Sequence, residues 1–162
     1  MEAKEDLASG LYGTLLVLEP GMDHDPEADH VFLISQSGPG SSRGAERPPF
    51  VNGSLAPDTI GLKSGATYRF RLIGISADDL YFVRLLNGTE LLQWRPIARH
   101  GADLSPSQRA EVPAREQVAP GTTYDFEFSP SMRADLVLEV DVVHVNSGTP
   151  ARTPTVVPIR VR

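Results

Sequence analysis

The sequence predicts an all-β fold, a sandwich or Greek-key barrel, on three observations. Apolar and polar residues alternate with a period of two along several runs, the pattern of a strand with one buried face. No run of helical length carries the spacing of an amphipathic helix. Fourteen glycines and fourteen prolines fall as short punctuation between the apolar runs, as tight connections between short strands require.

The strands read in order. "LYGTLLVLEP" and "DHVFLISQ" are almost continuously apolar, and "DTIGLKSG" follows as a shorter run. In "TYRFRLIGIS", Tyr68, Phe70 and Leu72 share one face and Arg69 and Arg71 the other. "LYFVRLLNG" and "TELLQWRPI" come next. In "YDFEFSP", Tyr124, Phe126 and Phe128 oppose Asp125 and Glu127. In "DLVLEVDVV", Leu136, Leu138, Val140 and Val142 oppose Glu139 and Asp141, and "TVVPIRVR" closes the series. Turn dipeptides separate the runs: Pro-Gly at Pro20 and Pro120, Asn-Gly at Asn52 and Asn87, Ser-Gly at Ser64 and Ser147. Asn87-Gly88 between two apolar runs predicts a hairpin with a type I′ turn. Gln36 to Pro49, rich in glycine, serine and proline, reads as a flexible loop within one domain, because no composition shift follows it.

Composition narrows the function classes. A chain of 162 residues supports one core that buries about 68–70% of the unfolded surface. The net charge is −6, with isolated or paired Lys and Arg, so nucleic acid is not an expected partner. The absence of cysteine removes disulfides, thiolate nucleophiles and thiolate metal ligands. No window approaches ~18 apolar residues, and "MEAKEDLASG" lacks the basic and apolar regions of a signal peptide, so no membrane segment or export address is expected in the chain as given.

With the strands placed, "SGLYGTLLVLEPG", "DHVFLISQSG", "PFVNGSLAPDTIGLKSGATYRFRLIGIS", "LQWRPIARHGADL" and "VAPGTTYDFEF", in this order and at these separations, resemble a laccase-like multicopper oxidase. The match runs from Ser9 to about Val140. The resemblance implies that residues 1–20 correspond to a tail strand at the end of a first cupredoxin domain. Residues 21–162 then correspond to a single cupredoxin-like domain, the second of three. In three-domain members that domain carries no copper. The implied role is structural and domain-organising, with copper in the parent and none in this chain, and with neighbouring cupredoxin domains or a homo-oligomer as partners. The resemblance implies a periplasmic or secreted parent.

The residues bear separately on that implication. Type 1 copper needs a thiolate with two imidazoles, and the chain has no cysteine. A trinuclear cluster needs His-X-His pairs that project two imidazoles to one side of a strand. His24, His30, His100 and His144 stand six, seventy and forty-four positions apart and form no such pair. No catalytic residue is assigned.

Two places hold residues of metal-ligating type. His100 lies in "HGADL", where the resembled segment commonly reads "DGADL"; its favoured reading is a loop residue, solvated or bonded to a backbone carbonyl, with Asp103 as the only local co-ligand. "MDHDPEADH" brings His24 and His30 together with Asp23, Asp25, Glu27 and Asp29, a set suited to zinc or divalent copper; its favoured reading is a solvated acidic connector. The rival to the structural module is therefore a free-standing small copper- or zinc-binding cupredoxin-like protein using surface histidines, His24, His30 and His100 or His144. Ser35 and Ser54 sit in no nucleophile arrangement, and "GPGSSRG" lacks the ending of a phosphate loop. Asn52-Gly53-Ser54 and Asn87-Gly88-Thr89 match glycosylation acceptors but are explained as turns. Trp94 is expected in the core or at a domain interface.

Overall fold

A computed structural model describes residues 12–36, 48–76, 79–144, with backbone alone at His144, and 153–162. The strands are β1 (Asp29–Ser35), β2 (Phe50–Val51), β3 (Ile60–Leu62), β4 (Tyr68–Ile75), β5 (Asp79–Asn87), β6 (Glu90–Leu91), β7 (Gln93–Arg99), β8 (Ala102–Asp103), β9 (Val112–Pro113), β10 (Arg115–Val118), β11 (Thr123–Phe128), β12 (Ala134–His144) and β13 (Thr155–Val161). Among the described residues, one 3₁₀ turn, Pro106–Gln108, interrupts them. Among the described residues no helix is long and apolar enough to cross a membrane.

The strands form two packed sheets, in the orders β2-β1-β4-β11-β7-β8 and β10-β5-β12-β13-β3. Most neighbours are antiparallel, while β1 with β4 and β13 with β3 are parallel. The alternation places the core as the sequence expects. Phe70 and Leu72 of β4, Leu138 and Val140 of β12, and Tyr81, Val83 and Leu85 of β5 are fully buried between the sheets.

Charge chooses the pairing on the outer face. The β4–β11 register sets Arg71 opposite Asp125 and Arg69 opposite Glu127. Arg71 donates to both oxygens of Asp29 at 2.7 and 2.6 Å and to Asp125 Oδ2 at 3.0 Å. Arg69 Nε reaches the same Asp125 oxygen at 3.0 Å. The Arg71, Asp29 and Asp125 side chains are only 14%, 16% and 12% exposed. These hydrogen bonds are therefore charge-assisted in a partly desolvated setting.

The "TELLQWRPI" run divides into β6 and β7, because the polypeptide turns at Leu92 to start the second strand in the other sheet. The β11–β7 ladder shifts register between Asp125 and Phe126, which admits Pro96 inside a paired strand. Gly74 leaves room for a crossing backbone: a Cβ there would lie 2.8 Å from Ala119 O and 2.7 Å from Val118 Cγ1.

Two Asn-Gly dipeptides behave differently. Asn52 and Gly53 have φ of 51° and 78°, the type I′ geometry, closed by Val51 and Ser54 at 2.9 and 3.0 Å. At Asn87 the hairpin is present, but its paired residues are Asn87 and Glu90. The turn residues are thus Gly88 and Thr89, with positive φ at Gly88 alone. That corrects the expected type I′ turn to the II′ pattern, because the ladder extends one residue further than the dipeptide suggests.

Over the described residues 12–20, "LYGTLLVLEP" enters neither sheet. A physical reason lies at β1, whose outer edge is already taken. Asn52 donates its backbone N–H to Leu33 O, accepts from Leu33 N–H through Oδ1 at 2.8 Å, and donates from Nδ2 to Val31 O at 2.8 Å. Residues 1–11, most of the Gln36–Pro49 loop and the Ser147-Gly148 turn lie outside the described residues.

Candidate functional site

β1 and the loop before it position the histidine cluster. His30 points to the inner side of β1, stacked on Tyr68 (ring centroids 5.8 Å, 27° between planes) and edge-on to Phe70 at 5.8 Å. Its Nε2 is buried without a hydrogen-bond partner. Burial holds the imidazole pKa below its ordinary value, against the opposing pull of the Asp29 and Asp25 carboxylates. His24 is exposed, with Nε2 3.2 Å from Asp29 O.

His24 and His30 line one cleft of about 490 Å³. Phe32, Val51 and Val157 contribute apolar wall, and Asp29, Asn52 and Asp58 polar wall. Two of the acidic residues nearby have partners: Asp29 is held bidentate by Arg71, and Asp25 Oδ1 accepts the Glu27 N–H at 2.9 Å.

His100 stands elsewhere, at the tip of the β7–β8 hairpin. Arg99 pairs with Ala102, leaving His100 and Gly101 as the turn residues with φ of 52° and 75°. Both positive values make this a type I′ turn, in which aspartate, asparagine or histidine is better tolerated than other side chains. His100 N–H donates to Thr123 O at 2.9 Å, and its ring lies 5.9 Å from Tyr124. The Arg99 guanidinium sits 4.9 Å over the same tyrosine ring. Asp103 pairs instead with Arg109 at 3.1 Å. His144 ends β12, paired through its backbone with Asp79.

The structure thus brings His24 and His30 together and separates them from His100. Among the described residues no group of three or more histidine, aspartate and glutamate side chains is arranged to hold a metal ion. Ser54 Oγ accepts a backbone N–H from Ala56, and Ser35 Oγ is 2.6 Å from Tyr12 OH; neither serine faces a histidine in these contacts. Trp94 is a core residue, 1% exposed, stacked on Phe126 at 4.0 Å, with its Nε1 unpartnered.

Sequence reasoning missed a buried polar cluster at one end of the sandwich. Asp79 is 3% exposed. Its carboxylate accepts from Gln36 Nε2 at 2.7 Å, and its N–H donates to Ser76 Oγ at 2.7 Å. Tyr81 OH donates to Ile75 O; burial, reinforced by the Asp79 charge, pushes its pKa well above the usual phenol range. The available signal was an acidic residue opening an apolar strand, "DDLYFV".

No family model matches the chain, and no curated protein does. Solved structures do match. The fold is cupredoxin-like, and it matches domains of multicopper oxidases. A multicopper oxidase from Pediococcus acidilactici covers 93% of the chain at 11% identity and TM-score 0.57, using 30% of its own length. The laccase of Botrytis aclada covers 82% at 13% identity and TM-score 0.62, with 29% of its own length. A copper-containing nitrite reductase from Thermus scotoductus covers 85% at 13% identity and TM-score 0.57, with 31% of its length. This chain therefore spans under a third of each of these three structures, the size of a single domain of theirs.

The similar solved structures are copper proteins by name, and the residues here do not fit a type 1 copper centre. A type 1 centre needs a thiolate, which a cysteine-free sequence lacks. Of the histidines, His100 is committed to a turn remote from the cleft that His24 and His30 share.

Proposed function

We propose that this cupredoxin-like domain is a copper-free structural module of a multicopper-oxidase-type assembly, spacing and orienting copper-bearing domains, with no catalysis of its own. The observation that supports the reading is the combination of that fold with a sequence that has no cysteine for a type 1 copper centre. A body of two packed sheets around one core suits such a role.

A second reading, a small copper- or zinc-binding protein, draws on the cleft lined by both His24 and His30. One experiment separates the two. The chain is incubated with excess copper or zinc, desalted exhaustively and assayed for metal by elemental mass spectrometry, beside a His24→Ala/His30→Ala/His100→Ala variant. The structural reading expects far less than one ion per chain in both. About one tightly held ion per wild-type chain, lost in the variant, overturns it, as does copper-dependent oxidation of a phenol by the isolated chain.

A further inference from the structure

Asn52-Gly53 and Asn87-Gly88 both lie at turns, and both carry a latent reaction. In such a pair the glycine backbone nitrogen attacks the asparagine side-chain carbonyl carbon, since no Cβ on the glycine crowds the approach and asparagine is thermally labile. At Gly53 and at Gly88 alike, nothing lies within 4 Å of the position a Cβ would take. Neither glycine N–H has a hydrogen-bond partner among the described residues, and both asparagines are exposed. Sequence and exposure therefore leave the two dipeptides equivalent.

The amide that has to react separates them. At Asn52 it is bonded through both of its ends to β1: Oδ1 accepts the Leu33 N–H at 2.8 Å and Nδ2 donates to Val31 O at 2.8 Å. The backbone is held as well, by the Asn52 N–H on Leu33 O at 2.9 Å and by the Val51 and Ser54 pair across the turn. Turning Asn52 Cγ towards the Gly53 nitrogen breaks both amide hydrogen bonds and leaves that part of β1 unpaired. The Asn87 side chain makes no hydrogen bond among the described residues; only its backbone is paired, with Glu90. Its amide rotates onto the Gly88 nitrogen without breaking a contact.

We propose that Asn87-Gly88 is a self-modification site, and that the fold protects Asn52-Gly53 from the same reaction. The Gly88 nitrogen gives up its proton and bonds to Asn87 Cγ, the Cγ–Nδ2 bond breaks, and ammonia leaves with that proton. Water then opens the cyclic imide at either carbonyl. One opening yields aspartate; the other yields isoaspartate, with the main chain routed through the side-chain carbons. Water is the sole co-reactant. The position gives the change a consequence. Asn87 lines a cleft of about 350 Å³ between the β5–β6 hairpin and the β11–β12 connection, where the charged lining residues are Glu90, Glu111, Glu127 and Arg95. Arg95 lies 3.6 Å from Glu111 and 3.5 Å from Glu127. Either product adds a fourth carboxylate there, opposite Glu90 in the hairpin, and biases the cleft towards cations. The inference goes beyond the structural-module reading and does not depend on it.

The full chain, kept folded in warm, mildly alkaline buffer, is sampled over time and digested. Peptide mass spectrometry, with isotopically heavy water to mark the hydrolysis, counts aspartate and isoaspartate at each position. Conversion at Asn87 is expected to outpace that at Asn52 by about tenfold or more, the factor that two amide hydrogen bonds supply. In concentrated urea, where the β1 edge no longer exists, the two are expected to convert at comparable rates. Equal rates in the folded chain, faster conversion at Asn52, or no conversion at either position overturns the proposal. A preference for Asn87 that persists undiminished in urea overturns it too, because local sequence and not the fold is then its cause. The protecting bonds have a separate readout. Asn52→Asp sets a carboxylate oxygen against Val31 O and is expected to lower the melting temperature by at least about 2 °C, and Asn87→Asp by less; the reverse order overturns the protective role. None of these outcomes alters the metal content that tests the structural-module reading.

Discussion

β4 and the Tyr12–Leu18 segment are both apolar, uninterrupted by proline and extended, yet one is the centre of a sheet and the other joins none. β4 has β1 on one side and β11 on the other. It alternates apolar residues with arginines, and those arginines find Asp29 and Asp125 on its neighbours. Tyr12–Leu18 has no charged residue to choose a neighbour, and the nearby edge of β1 is already bonded by Asn52. Alternation makes a strand possible; a free edge and a complementary outer face decide whether it is used.

That contrast can be broken from either side. Phe70→Ala empties a fully buried site packed against Phe32 and Phe128, and is expected to cost about 3–5 kcal/mol in urea unfolding. Gly74→Ala forces a Cβ against backbone at 2.8 Å, with an expected loss of about 1–3 kcal/mol and a lower melting temperature. Arg71→Met leaves Asp29 without its bidentate partner and strips one donor from Asp125. The expected loss is about 1–2 kcal/mol, read from the urea midpoint.

His30 adds a pH dependence. Its folded pKa lies below the unfolded value of 6.5, so below that value the unfolded chain binds the proton more readily than the folded one. The stability it contributes is therefore complete above pH 6.5 and falls as the pH drops towards the folded pKa, with a slope of at most about 1.4 kcal/mol per pH unit. Denaturant midpoints between pH 7.5 and 5 measure it, and His30→Phe, which keeps a ring against Tyr68, should flatten that part of the profile. The smallest effect belongs to the unpaired segment: Leu15→Ala is expected to change the stability of the monomer by no more than about 0.5 kcal/mol. A loss like that of Phe70→Ala would mean that Leu15 is part of the core after all.

Much of this architecture is legible in the residues themselves. The period of two located β4, β11 and β12, and shorter or more continuously apolar runs located β1, β3, β5 and β13. The opposed sets Arg69/Arg71 and Asp125/Glu127 even carry the β4–β11 partnership in their charges, a signal available but unread. The short strands β2, β8, β9 and β10 were not legible, because two to four residues carry too little pattern. The site was less legible than the fold. "MDHDPEADH" drew attention to His24 and His30, which share a cleft, while the acidic residue opening the apolar run "DDLYFV" was a signal for the buried Asp79 carboxylate that went unread.

What the sequence alone determined is what depends on residue type and spacing: strands with one apolar face, glycine where φ must be positive, and no thiolate for copper. The tertiary structure decided everything that depends on which atoms meet across long separations. It spent the carboxylate of Asp29 on Arg71 instead of a metal, and put His100 into a turn away from the other histidines. It also let the Asn52 amide occupy the β1 edge and left Leu15 and Val17 facing outward. Local pattern sets what each segment is able to do, and competition for a limited number of partners in the folded chain settles which of those abilities is used.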